Sequence, residues 1–191
     1  MSFVDYFAKL PLSGLRANSL GADSPAAQRA IALDEPSLRD FAHMISPAAS
    51  KHLEELAQKS GALTRQRFGK IIRLFAPLYL SNECINICSY CGFSRDNPIL
   101  RTTLTTEEVT SEAKELKLQG LRSILLVAGE HPKFISNGYV MECIQELHQF
   151  IPSISVELGP LDVFEYQSLV KSGAEGLVVY QETYDRNAYA I

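Results

Sequence analysis

At 191 residues the chain is long enough for one domain with a sizeable core, or for one domain preceded by an extended arm, and two full domains are not expected. Its 46% hydrophobic and 21% charged residues exclude a disordered or fibrous class. A net charge of -4, with lysine and arginine scattered, leaves no electrostatic footprint for nucleic acid or an anionic membrane, so a small-molecule partner is expected.

The opening Met1-Ser2-Phe3-Val4-Asp5 has no basic leader, and no later window approaches the roughly 20 apolar residues of a membrane span. A cytoplasmic protein is expected, in which four cysteines stay reduced and serve metal binding or catalysis rather than disulfides.

Phe3, Phe7 and Leu10 lie at i, i+4, i+7 and predict a first helix, followed by a stretch broken at Pro11, Gly14, Gly21 and Pro25. Ser46 before Pro47 reads as an N-cap, and Ala49, Leu53 and Leu56 form a stripe predicted to end near Gly61. Residues 1–70 are therefore expected to form a helical N-terminal arm.

The period changes at Ile71–Leu80, a dense apolar run that predicts a buried strand restricted by Pro77, with Leu78–Ser81 its ordered part. Thr105 and Glu108 make a capping box for a helix carrying Val109, Ala113 and Leu116, closing at Gly120. Strands Ser123–Ala128, Ile154–Leu158 and Gly176–Tyr180 follow. Between them come a helix with Val140, Ile144, Leu147 and Ile151 in phase and one capped by Asp162 that ends at Gly173. Apolar strands alternating with amphipathic helices predict parallel βαβ units over 71–191; periodicity leaves an open doubly wound sheet and a barrel segment equally possible.

Cys84, Cys88 and Cys91 form C-x-x-x-C-x-x-C immediately after the first strand. Such spacing lets one loop wrap three thiolates around a [4Fe-4S] cubane, leaving the fourth iron open to an exogenous chelator. Structural zinc is the competing use; it normally takes four ligands, often as two separated pairs. Cys143, beside Val140 and Leu147 on an apolar helix face, reads as core, and the four histidines have no metal spacing with the triplet.

The string CINICSYC, with an aromatic before its last cysteine, resembles the signature of the radical S-adenosylmethionine superfamily. More narrowly, APLYLSNECINICSYCGFSRDN, LLVAGE, ISVELGPL and VVYQETYDRNAY resemble the tyrosine lyases of thiamine thiazole synthesis, the 2-iminoacetate synthases. The likeness extends from about Ile45 to the last residue, with ISPAAS and LTRQRFG adding to it.

The resemblance implies a parallel β/α barrel of the radical S-adenosylmethionine type, here an incomplete portion of about four strands with a helical arm. The chain falls short of the about 250 residues of a full eight-unit barrel, and an open edge is expected after the fourth strand. The resemblance also implies a [4Fe-4S] cluster on Cys84, Cys88 and Cys91, S-adenosyl-L-methionine on the open iron, a reducing electron donor and L-tyrosine as substrate. In the family a 5′-deoxyadenosyl radical takes hydrogen from the tyrosine amino group, and the Cα–Cβ bond fragments to p-cresol and dehydroglycine; the thiazole synthase is a further implied partner.

By the same resemblance Tyr90 offers its backbone to the adenine, while Glu130, at the end of the second strand beside Gly129, receives the cofactor's ammonium in a charge-assisted hydrogen bond. Glu157, inside an apolar strand, should have a partner because an unpaired buried carboxylate is costly; cofactor contact, a salt bridge or an exposed strand face would each account for it. Tyr180, Gln181 and Glu182, ending the fourth strand, are candidate substrate-cavity residues or a hydrogen-bonded barrel rim. Tyr79, Tyr90 and Phe93 are candidates to shield the cluster. The alternatives are the related tyrosine lyase of [FeFe]-hydrogenase maturation and a non-catalytic zinc-binding or truncated module.

Overall fold

A computed structural model describes residues 3–180 and 182–189. The chain divides into two compact units, Met1–Ile71 and Ile72–Ile191.

The first unit is helical: α1 Phe3–Phe7, α2 Leu12–Gly21, α3 Ser24–Ala32, α4 Leu38–Met44, a 3-10 turn Pro47–His52, and α5 Leu53–Phe68. Three of these starts are capped by a side chain. The Asp23 side chain accepts from the Ala26 N–H at 2.8 Å, Ser37 and Asp40 form a reciprocal capping box, and Ser46 accepts from the Ala49 N–H at 3.3 Å. Ala30, Ile31 and Met44 make a small buried cluster with Leu56 against it. Two expectations are corrected. Pro11 and Pro25 start helices rather than break one, since a proline lacks only an N–H that a first turn leaves free anyway. Gly61 does not end the last helix, because one interior glycine costs only about 1 kcal/mol; α5 closes at Gly69, where φ is 69°.

The second unit alternates β1 Ala76–Ser81, α6 Thr106–Leu118, β2 Ser123–Ala128, α7 Asn137–His148, β3 Ser153–Glu157, α8 Val163–Ser172 and β4 Gly176–Val178, followed by α9 Arg186–Tyr189. The strands form one sheet in the order β1-β2-β3-β4, and every pair is parallel. Capping boxes at Thr105/Glu108 and Asp162/Glu165 start α6 and α8.

Which face the helices cover settles the architecture. Leu78, Leu80, Ile124, Leu126, Ile154 and Val156 alternate along β1–β3 and pack in one core with Val109 and Ala113 of α6, Val140, Cys143, Ile144 and Leu147 of α7, and Leu169 of α8. In a strand the neighbouring residues point to the opposite face, and there stand Tyr79, Leu125, Val127, Ser155 and Glu157. Helices on one face only, with strands in sequence order and no reversal, describe a stretch of a β/α barrel wall and not a doubly wound sheet, which would be clad on both sides. The structure is an incomplete α/β fragment of that kind.

The long apolar run before Pro77 is also corrected. Ile71, Ile72, Leu74 and Phe75 are exposed, and pairing begins only at Ala76↔Ile124. Among the described residues no strand lies opposite Ile71–Phe75, so their β propensity finds no ladder. Pro77 is tolerated because β1 pairs on one side alone. At the other end β4 stops at Val178, before Tyr180.

Candidate cluster site at the strand C-termini

The three cysteines lie in the connection from β1 to α6, at the C-terminal ends of the strands. Cys84 and Cys91 are partly exposed, Cys88 is exposed, and all are free thiols. Local turns shape this loop: the Cys91 N–H donates to the Cys88 carbonyl at 3.3 Å, the Ser94 N–H to the Cys91 carbonyl at 3.1 Å, and the Arg95 N–H to the Asn86 carbonyl at 2.8 Å. The Asn97 side-chain amide donates to the carbonyls of Cys91 and Gly92, each at 3.1 Å.

The end of β2 meets this loop at the closest possible range. The Gly129 N–H donates to the Ser81 carbonyl at 3.2 Å, and the Ile85 N–H donates to the Glu130 carbonyl at 2.9 Å. A Cβ on Gly129 would stand 2.2 Å from the Glu83 carbonyl oxygen and 3.1 Å from the Cys84 Cβ. Only glycine permits that approach.

Glu130 is held from two sides. The Asn86 side-chain amide donates to one of its carboxylate oxygens at 2.8 Å, and a Cβ on Gly159 would lie 2.6 Å from its Cγ, so the end of β3 lies flush against it. Its carboxylate is thereby fixed beside the cysteine loop with one oxygen engaged by Asn86. A cleft of about 410 Å³ opens at the ends of β2 and β3, with Gly129, Glu130, Asn137 and Gly159 in its wall. The Asn137 side-chain oxygen is buried without a hydrogen-bond partner among the described residues, which makes it a wall able to accept a donor from a polar guest.

On the face away from the helices, Tyr79 and Phe93 pack edge to face with centroids 5.8 Å apart, so the cysteine loop folds over the inner side of β1. Tyr90 is exposed; slight desolvation, the facing Glu182 carboxylate, and the Cys88 and Cys91 thiols together push its phenol above its ordinary value. Glu157 ends β3 in register with Val127, on the inner face. Burial raises its carboxyl above the ordinary value. Among the described residues no hydrogen bond or ion pair answers it.

The structure thus brings Cys84, Cys88, Cys91, Tyr90, Gly129 and Glu130 to one end of the sheet, with Glu182 facing Tyr90. Tyr180 is exposed beyond β4, and Gln181 lies outside the described residues. Cys143 is fully buried, and burial pushes its thiol up to about 11, as expected of a core residue. Sequence reasoning did not single out Asn86 and Gly159, which hold Glu130. Asn86 is visible as a polar residue inside the motif; Gly159 is 29 positions past Glu130 in a separate connection, and only the fold joins them.

Three thiols in one loop, Cys84, Cys88 and Cys91, are the donor chemistry of a [4Fe-4S] cubane, which takes one thiolate at each of three irons. Among the described residues no three His, Cys, Asp or Glu side chains gather closely enough to hold a single metal ion.

No family model matches the chain. It is 38% identical over 189 residues to the 2-iminoacetate synthase of Escherichia coli (strain K12), covering 99% of this chain and 50% of that protein. The corresponding enzyme of Salmonella typhimurium (strain LT2) is 36% identical over the same shares. Among solved structures, HydG, a maturase of the [FeFe]-hydrogenase, aligns with a TM-score of 0.83 at 28% identity, covering 93% of this chain and 42% of that one. The chain spans about half the length of the curated relatives it matches.

Proposed function

We propose, for a chain that is a partial, N-terminal-half match to the family of the 2-iminoacetate synthases, that its cysteine loop holds a [4Fe-4S] cluster and serves radical cleavage of the tyrosine Cα–Cβ bond. The products on this reading are dehydroglycine (2-iminoacetate) and p-cresol, with a reducing electron donor upstream and the thiazole synthase as consumer of the imine. When bound, the cluster and S-adenosyl-L-methionine supply one-electron chemistry able to remove a hydrogen atom from the substrate. Cys84, Cys88 and Cys91 would hold the cluster, and its fourth iron would take the amino and carboxylate groups of S-adenosyl-L-methionine.

The observation that carries this reading is the joint placement of the cysteine loop and Glu130. Gly129 lets the end of β2 touch Glu83 and Cys84, so the carboxylate following it stands beside the thiols. Asn86 donates to one Glu130 oxygen, which orients the other toward the cofactor's ammonium; such charge-assisted bonds are about twice as strong as neutral ones. Gly129 offers its backbone at the same point, and Tyr90 offers its own to the adenine. Glu157, desolvated on the inner face, gains a partner in the cofactor's ribose or ammonium. Tyr79 and Phe93, packed edge to face beside the loop, would shield a bound cluster. On this reading Tyr180 and Glu182 serve the substrate side.

Anaerobic reconstitution tests the proposal. Iron and labile sulfide near four each per chain, with an electron paramagnetic signal that changes on adding S-adenosyl-L-methionine, is the expected result. One zinc and no sulfide would remove the reading. Reaction of a full-length protein with reductant, cofactor and tyrosine then separates two tyrosine lyases: p-cresol without cyanide or carbon monoxide marks the thiazole branch rather than hydrogenase maturation. Among the described residues no helix is long and apolar enough to cross a membrane, which supports the cytoplasmic location included in this proposal.

A further inference from the structure

The base of the cysteine loop is closed by two side chains, Arg101 and Asn82. Arg101 stands where the chain returns from the loop. Its guanidinium donates to the Asn82 carbonyl at 2.6 Å on the strand side. On the return side it donates to the carbonyls of Phe93 at 2.9 Å, Ser94 at 2.7 Å, Asn97 at 3.3 Å and Arg95 at 3.4 Å. Asn82 answers from the other end. Its side-chain amide donates to the Leu100 carbonyl at 2.7 Å, its side-chain oxygen accepts from the Thr102 N–H at 2.7 Å, and its own N–H donates to the Thr102 carbonyl at 3.2 Å.

Five carbonyls surround the two terminal nitrogens of one guanidinium, two at Nη1 and three at Nη2, so the N–H groups of Nη2 are shared, a planar geometry no single ammonium reproduces. Among the described residues Arg101 makes no ion pair, so its positive charge is answered by carbonyl dipoles alone. Residues 82–101 have no helix or strand of their own, and Ser94 is the one residue among 82–101 that is buried. Such a segment has little packing to offset the entropy of ordering it; side-chain bonds to its backbone must do so.

We infer that Arg101 is a positioning residue for the cluster-binding loop: with Asn82 it closes segment 82–101 into a ring, so that the three thiols are presented in order before any iron arrives. The inference rests on the cluster reading above, while the closure itself uses only this chain's own side chains and backbone. Presenting ligands already ordered removes a cost that would otherwise be met during cluster assembly.

The test compares the full-length chain with Arg101→Ala and Arg101→Lys by amide hydrogen exchange without metal and by the rate of iron and sulfide uptake in anaerobic reconstitution. In Arg101→Ala the amides of Cys91, Ser94, Arg95 and Asn97 should exchange at least about tenfold faster, while those of β2 and β3 keep their protection. Cluster uptake should slow by about tenfold. Lysine should restore neither, and millimolar ethylguanidinium added to Arg101→Ala should restore part of both, which a general loss of stability would not show. Should the alanine variant also lose protection in β2 and β3, the lysine variant with intact strands carries the comparison. Loop exchange indifferent to Arg101, or a lysine variant equal to the parent, overturns the inference. A parent that takes up neither iron nor sulfide overturns instead the cluster reading, and the exchange comparison still decides the ring closure.

Discussion

Replacing Gly129 by alanine tests the junction on which the site is built. Gly129 does not have a positive φ, so the backbone itself accepts a side chain there and the effect isolates one contact. The added Cβ would meet the Glu83 carbonyl oxygen at 2.2 Å and the Glu83 carbonyl carbon at 3.0 Å. Both are backbone atoms. Restoring ordinary contact requires the cysteine loop and the β2 terminus to part by about 1 Å, and overpacking of that kind costs about 1–3 kcal/mol. For a unit of this size about 4 °C accompanies each kcal/mol, so the melting temperature should fall by roughly 4–12 °C. A 1 Å misplacement in an oriented site can cost on the order of 100-fold in rate, so cofactor-dependent turnover in a full-length protein should fall further than stability does. Gly92→Ala is the internal control, because nothing lies within 4 Å of its Cβ; its melting temperature should stay within about 2 °C of the parent. Differential scanning calorimetry with iron and sulfide analysis on both variants reads the outcome. A Gly129→Ala protein with the parent's melting temperature and cluster content would refute the claim that this contact sets the loop.

Cys88→Ala should retain the fold and lose the cluster, seen as loss of iron, sulfide and the visible absorption, because one corner of the cubane is left without its thiolate. Glu130→Ala should keep the cluster and weaken S-adenosyl-L-methionine binding by at least about tenfold, as expected for one charge-assisted hydrogen bond; calorimetric titration showing parent affinity would remove Glu130 from the cofactor site. Glu157 gives a pH dependence. Its carboxyl is raised above its ordinary value by burial, so the folded chain holds the proton to higher pH than the unfolded one. Stability therefore falls as pH rises through that window and is level above it. Glu157→Gln should melt higher than the parent at pH 7, the gap closing as pH falls below 4.5; a gap unchanged with pH in thermal melts would count against a desolvated carboxylate.

Local rules placed most of the second unit. The Thr105/Glu108 and Asp162/Glu165 boxes start α6 and α8 where side chain and backbone satisfy each other within one turn. Strand β2 occupies the apolar run Ser123–Ala128 without correction. Errors arose where pairing decides. Ile71–Phe75 has the composition of a strand and is exposed for want of a neighbour, and β4 ends two residues early.

The chain's own order of residues determined the alternation of strands and helices, the caps, and the three thiols with their spacing, because each depends on neighbours within a few positions. Tertiary structure alone decided that all three helices cover one face, that Gly129 abuts Glu83, that Gly159 and Asn86 hold Glu130, and that Arg101 closes the loop at both ends. The first three join segments far apart in the chain and exist only once the parallel strands have set their register, while the Arg101 closure spans at most 19 positions of one irregular loop and has no hydrogen-bond ladder that local pattern could announce.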